Sequence, residues 1–350
     1  MKFRRSFMVL GSLVAGAALV VVLIRFAHIS LASTVSALRQ ADGAALAGLL
    51  ILNCVLIYLS TEKWLSVDAV LRRHGDSKPP KITAFFVTSM GMALGLLLPV
   101  QLGMTISRTL STHFFGRALR RGTGGTLVEQ GFDLLIVIIF AAASLLTWLW
   151  HGHALVWFLS ALVLLMTGVA AVAPTLRGIR TVMPGFGRRT QPANHSHMFS
   201  RAAASCCRRL TEVQESGLFE PRLARRMFLL SVARFVILVG MASCSAQAVR
   251  IHVSLWQFCA AMPFATLANL LAITPGGIGV NELASVSALH IFGMPLSAAT
   301  QWALINRILI TGACLTVAGC AALVFALNRL TKVTIRISAE AGERKRAEEC

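Results

Sequence analysis

Residues 272–283 read AITPGGIGVNEL, and they interrupt an apolar run, Val253–Ile273, that is long enough to cross a bilayer. Pro275, Gly276, Gly277, Gly279 and Glu282 follow in quick succession. Glycine and proline continue a helix poorly, and a carboxylate is costly in lipid. The backbone groups freed by such a break cannot face hydrocarbon; they must be buried in protein or line a wet cavity. The stretch is therefore a tight hairpin bend, or a bend that also lines a substrate path. A half-helix starting after the glycines would present free N–H groups able to hold an anion.

The surrounding composition fits a bilayer. Of the 350 residues, 56% are hydrophobic and 13% charged, against about 25% charged in a soluble domain; the mean hydropathy is +0.72. Apolar segments occupy Met8–Ile24, Ala44–Leu59, Ile82–Leu98, Phe132–Trp150, Ala154–Ala173, Met227–Val249, Val253–Ile273 and Leu296–Leu327. Several approach or exceed the roughly 18 residues of a membrane helix. The expected fold class is an all-α polytopic membrane protein without a substantial soluble domain. Met8–Ile24 follows Lys2, Arg4 and Arg5 but is longer than a usual signal core, which favours an uncleaved first helix.

The net charge of +19 would point to nucleic acid in a soluble protein. Its placement argues otherwise. Basic residues fall in alternate gaps: Lys2 to Arg5; Lys63, Arg72, Arg73, Lys78 and Lys81; Arg108, Arg117, Arg120 and Arg121; the arginines of 177–226; and the tail from Arg329 to Arg346. The opposite gaps hold only Arg25, Arg39 and Arg250. The positive-inside rule makes the rich set cytoplasmic and places both termini inside. Anionic headgroups are the expected partners of this charge, and nucleic acid is not.

Parity then constrains the path. Ile82–Leu98 has basic gaps on both sides, so it should enter and return. Val253–Ile273 starts after Arg250, and only Leu296–Leu327 remains before the basic tail. The prediction is six full crossings and two broken or re-entrant hairpins, with His113–Ala118 and Leu283–Ile291 as return arms. Two additional crossings would satisfy the same parity. Units 44–150 and 227–327 each read crossing, broken hairpin, crossing, in opposite orientations. They form an expected inverted repeat within one transmembrane domain, 1–330, with a basic cytoplasmic loop at 174–226 and a tail at 331–350. The counterpart of PGGIG is LLLPVQLG, residues 96–103, with Pro99 and Gly103. Interrupted helices at matching positions of two halves point to a transport site near the midplane.

Polar residues inside these segments are the candidate chemistry. Arg234 and Arg307 lie within crossings, where a charge costs roughly 2.5–3.5 kcal/mol on insertion scales and needs a partner or water. Glu282 is the nearest counter-ion for Arg307, either locking two elements together or sharing a guanidinium that holds a lipid phosphate bidentately. Arg234 could snorkel in part. Glu129 and Asp133 flank the start of Phe132–Trp150, as dipole caps or as a gate beside Arg108. Asn269 and Asn306 suit helix–helix hydrogen bonds. Residues 198–213 suit an interfacial amphipathic helix. His151, His153, His195 and His197 read as solvated turns, and the eight cysteines lack disulfide or zinc spacing. No catalytic triad, phosphate-binding loop or dinucleotide fingerprint stands in a suitable context, so neither an enzyme nor a cofactor or metal site is expected.

PGGIGVNE resembles the PGGxGxxE signature of the flippase-like, lysylphosphatidylglycerol synthase transmembrane-region family. LLLPVQLG resembles that family's earlier proline-glycine element, and VEQGFD its E-R-x-x-D element. On this resemblance Pro275, Gly276, Gly277, Gly279 and Glu282 match one motif, Pro99 and Gly103 a second, and Glu129 and Asp133 a third. Gln130 stands where the third motif usually has arginine, and Met104 where an acidic residue is common. The chain reaches Cys350 without an aminoacyl-transfer domain, so the resemblance implies the membrane part alone. It implies a lipid flippase or lipid transporter of the bacterial inner membrane, with a hopanoid-associated member among the candidates. The alternatives are a membrane scaffold or accessory subunit recruiting lipid-biosynthesis enzymes, and an intramembrane transferase using Glu282 and Glu129.

Overall fold

The computed structural model describes residues 18, 20–22, 24–25, 31–71, 78–98, 100–114, 119–150, 153–189, 220–271 and 274–348. Among the described residues every regular element is helical. In chain order these are α1 Leu31–Arg39, α2 Gly43–Leu71, α3 Lys81–Leu97, α4 Val100–Phe114, α5 Leu119–Leu149 and α6 Ala154–Arg189. They continue with α7 Pro221–Ala248, α8 Leu255–Leu271, a 3₁₀ turn Pro275–Gly277, α9 Val280–Ile291 and α10 Leu296–Glu348.

Five of these helices contain spans long and apolar enough to cross a membrane: Gly43–Leu71, Thr123–Leu149, Ala154–Ala171, Pro221–Ala248 and Leu296–Asn328. They coincide with five of the six predicted crossings. The sixth, Met8–Ile24, falls mostly outside the described residues, as do 198–213, His151, His195 and His197. The outward face of α6 is built from Leu155, Phe158, Leu159, Leu162, Val163 and Met166, all exposed. A continuous apolar face of this kind is what hydrocarbon covers in a membrane protein.

Two predicted hairpins are present, each with a longer return arm than the sequence implied. The arm of the first is α4, which begins directly after the Pro99 position and ends just past His113; residues 115–118 of the expected arm lie outside the described residues. The arm of the second is α9. Two other helices also start or run on beyond their apolar cores. α2 extends through Ser60, Lys63, Trp64 and Val67, which recur at helical spacing on one buried face. α5 starts at Leu119, so Glu129 and Asp133 sit well inside it and cannot cap its N-terminus. The capping account of those two carboxylates is thereby overturned.

The helices close around a core shared by α5 to α10. Phe140 stacks on Phe235 at a centroid separation of 4.1 Å and on Trp157 at 5.7 Å, while Phe258 meets Trp302 at 5.0 Å. The indole N–H groups are satisfied, Trp157 by Ser144 Oγ at 2.9 Å and Trp302 by Ser245 Oγ at 3.0 Å. A second seam joins α2 and α7 through Leu49, Leu56 and Met241, and Asp42 N–H donates to the Ala248 carbonyl at 2.9 Å.

Close approach within the first hairpin depends on glycine. A Cβ on Gly103 would press into the backbone of Gly91 and Gly95 on α3. Ser107 Oγ also donates to the Val87 carbonyl at 2.6 Å. Gly103 therefore lets the two arms of the hairpin pack backbone to backbone. Gly103→Ala should lower stability by about 1–3 kcal/mol, the usual penalty of overpacking, measured as a lower unfolding midpoint in detergent. Gly319→Ala, where nothing lies within 4 Å of the added Cβ, should leave the midpoint within about 0.5 kcal/mol of wild type.

Candidate functional site

The break that ends α8 is a buried turn. Gly276, Gly277 and Gly279 have φ of 59°, 69° and 83°, a region glycine enters without a Cβ clash. Pro275 opens the 3₁₀ turn after an extended Thr274. Gly276 N–H donates to the Leu98 carbonyl at 3.0 Å. Leu98 is the extended residue that ends α3, so a backbone group freed at each break is satisfied by the other. A side chain on Gly276 would strike Arg307 Nη2 and the Leu96 carbonyl, and one on Gly277 would strike Asn269 Oδ1.

Gly279 is the N-cap of α9, and its N–H donates to Glu282 Oε2 at 2.6 Å. Glu282 thus reaches back from the third helical position, as in one half of a capping box. Its other oxygen, Oε1, lies 3.7 Å from Arg307 Nε, a contact too long for a hydrogen bond. Glu282 is buried, whereas Arg307 keeps 25% of its side chain accessible. The expected Glu282–Arg307 pair exists, but as a loose one.

A second, tighter charge cluster ties four helices together. On α4, Arg108 forks onto both oxygens of Glu129 from α5 and also donates to the Ser60 carbonyl of α2 at 3.1 Å. The Arg108 guanidinium also lies 5.6 Å from the Trp64 ring centre, within cation–π range. On α5, Asp133 bridges Lys63 of α2 and Arg234 of α7. Lys63 has no accessible side-chain surface, and it donates further to Ser231 Oγ at 2.9 Å and the Glu129 carbonyl at 3.2 Å. Taking such charges out of water is costly unless partners and additional hydrogen bonds surround them, as they do here.

Between the two clusters lies a cavity of about 300 Å³. Arg108, Glu129, Asp133, Arg234, Gly276 and Arg307 all line it, with Gly95 and Leu96 from the first hairpin. A smaller recess of about 50 Å³ is lined by Glu282 and shares Asn281, Ser285, Asn306 and Arg307 with it. Pro275, Gly277 and Gly279 shape the turn beside this space. Pro99 lies outside the described residues.

The geometry agrees with a sequence comparison that spans most of the chain: residues 8–319 match the lysylphosphatidylglycerol synthase TM region. The chain belongs to that family. No curated protein matches it. The family is named for the membrane region of a lipid-modifying synthase and not for its synthetase part, which is consistent with a role tied to membrane lipid. Among the described residues of this family member, no group of three or more His, Cys, Asp or Glu could hold a metal ion.

Several residues behave differently from their sequence reading. The positive-inside rule places Lys63 and Arg108 in basic loops, yet both are buried among helices. Arg234 is held by Asp133 and does not snorkel. Asn306 makes the expected interhelical bond, accepting from Ser245 Oγ at 2.8 Å. Asn269 Oδ1 has no partner and its side chain borders the cavity. The sequence signal for Lys63 is its place on the helical face of Ser60, Trp64 and Val67, which the positive-inside rule does not take into account.

Glu129→Gln leaves the Arg108 guanidinium buried without its counter-charge and should cost about 3–5 kcal/mol of stability. The double variant R108M/E129Q should recover much of that loss. Unfolding midpoints of the purified variants in detergent check both outcomes.

Proposed function

We propose that the chain is a lipid translocator of the bacterial inner membrane, with both termini cytoplasmic. A lipid headgroup would pass through the cavity between the two broken hairpins while its acyl chains stay in the bilayer. The observation that carries this reading is the Gly276–Leu98 backbone hydrogen bond beside a cavity lined by Arg108, Arg234 and Arg307. Irregular backbone at membrane depth is tolerated where it is buried or lines a polar cavity, and transporters use such broken helices to hold their cargo. The opposite orientation expected of units 44–150 and 227–327 would let the cavity open to either face in turn.

Within this reading Arg307 and Glu282 have complementary roles. Arg307 is partly accessible and only loosely paired, so its guanidinium has donors free for a phosphate oxygen. Glu282 holds the α9 N-terminus in place and keeps Arg307 oriented. Asp133, Glu129 and Lys63 anchor Arg234 and Arg108 and contact the headgroup less directly. Movement would run down a gradient or be coupled to another one, and cargo would leave chemically unchanged.

The test is reconstitution into liposomes containing a fluorescent anionic phospholipid, with the outer leaflet quenched chemically. Wild-type protein and Gly319→Ala should accelerate exchange between leaflets. Arg307→Ala should slow it about ten- to hundredfold, the worth of a hydrogen bond to a charged group, and Glu282→Ala should also slow it. Exchange at wild-type rates in both folded variants would remove these residues from the path.

A further inference from the structure

The charges around the cavity do not cancel. Lys63, Arg108, Arg234 and Arg307 are cationic, and Glu129, Asp133 and Glu282 are their only carboxylate partners in the ion pairs described above. Four cations against three carboxylates leave one positive charge in excess. The excess comes from Lys63, which sits behind the wall and donates to Asp133, Ser231 Oγ and the Glu129 carbonyl. An uncompensated charge away from water is costly, so the space favours a ligand that supplies the missing negative charge.

Unpartnered polar atoms indicate how such a ligand would be held. Arg108 Nε and Arg234 Nε are buried donors without an acceptor, on side chains that line the cavity. Asn269 Oδ1 and Glu282 Oε1 are buried acceptors without a hydrogen-bond donor. Buried polar groups are ordinarily satisfied, and those left open at a cavity mark positions for ligand atoms. The arginines suit phosphate oxygens, and the two acceptors suit hydroxyl or ammonium hydrogens. Net charge decides between hydroxyl and ammonium.

We propose that the cavity takes a lipid phosphodiester of net charge −1 whose headgroup bears hydroxyls, an assignment that rests on the translocator reading above. A zwitterionic headgroup would satisfy the acceptors but leave the positive excess in place. A phosphomonoester at its full negative charge would overshoot the excess, and an aminoacylated lipid of net charge +1 would add to it. Arg108 Nε and Arg234 Nε bind the phosphate together with the guanidinium of Arg307. Asn269 and Glu282 accept hydrogen bonds from the headgroup hydroxyls.

The experiment compares four fluorescent lipids in phosphatidylcholine vesicles: phosphatidylglycerol, phosphatidylethanolamine, phosphatidic acid and lysylphosphatidylglycerol. The expected result is leaflet exchange of phosphatidylglycerol faster than the others by about tenfold or more, as a charge-assisted contact allows. Asn269→Asp supplies the missing negative charge from the protein, so it should erase or reverse the preference over phosphatidylethanolamine while the unfolding midpoint holds. Arg234→Gln should do the same by removing a cation. Equal or faster exchange of phosphatidylethanolamine or lysylphosphatidylglycerol by wild-type protein overturns the charge assignment and leaves translocation standing.

If none of the four lipids moves, the translocator reading fails, and native mass spectrometry of the protein with an equimolar lipid mixture decides the charge assignment. Selective retention of phosphatidylglycerol supports it, and indiscriminate retention or none overturns it. Displacement of the retained lipid by inorganic phosphate would identify the ligand as a soluble anion and overturn the lipid source.

Discussion

A hydrogen bond of 3.0 Å from Gly276 N–H to the Leu98 carbonyl holds the tips of two interrupted hairpins against one another. Its importance follows from the solvent. Water is absent from the bilayer core, so a chain that leaves helical geometry there must find its backbone partners inside the protein. Each hairpin interrupts its helix, and each supplies what the other lacks. The positive φ values at Gly276, Gly277 and Gly279 follow from the sharpness of the turn. So does the absence of side chains that would collide with Arg307, Leu96 and Asn269.

The same scarcity of water organises the charges. Arg108 with Glu129, and Asp133 between Lys63 and Arg234, form compact units in which every carboxylate is paired with a cation, while the Nε of each arginine stays open. Their partners come from α2, α4, α5 and α7, so they fix those helices relative to each other more firmly than apolar packing does, because an ion pair broken in a low dielectric is far more expensive than a lost methyl contact. Arg307 with Glu282 is the exception. Their 3.7 Å separation and the accessible surface of Arg307 leave that pair incompletely satisfied. A rigid charged wall on one side and a loosely held arginine on the other suit a space whose contents change.

Much of this was legible in the residues. Hydropathy located five spans that the fold contains, and the proline-glycine elements located both hairpins. Glu282 and Arg307 could be paired because they are the charges nearest the second break. Legibility fails where a charged residue is buried rather than solvated. Lys63 and Arg108 look like loop residues to the positive-inside rule, yet each belongs to a helix whose apolar positions continue past it. Likewise, Glu129 and Asp133 resemble helix caps only if α5 begins at its apolar stretch, and it begins at Leu119.

The sequence by itself determined the class of structure and the positions of its interruptions. Hydrophobic length, glycine and proline act locally, through transfer energy and backbone geometry, and need no knowledge of what lies across the fold. The tertiary structure alone decided which interruptions meet, which charges neutralise one another and which remain open to a ligand. Those outcomes depend on pairings such as Lys63 with Asp133 and Gly276 with Leu98, separated by long stretches of chain. An ion pair or a backbone hydrogen bond acts over a few ångströms in space, and distance along the chain does not reveal who the neighbour is.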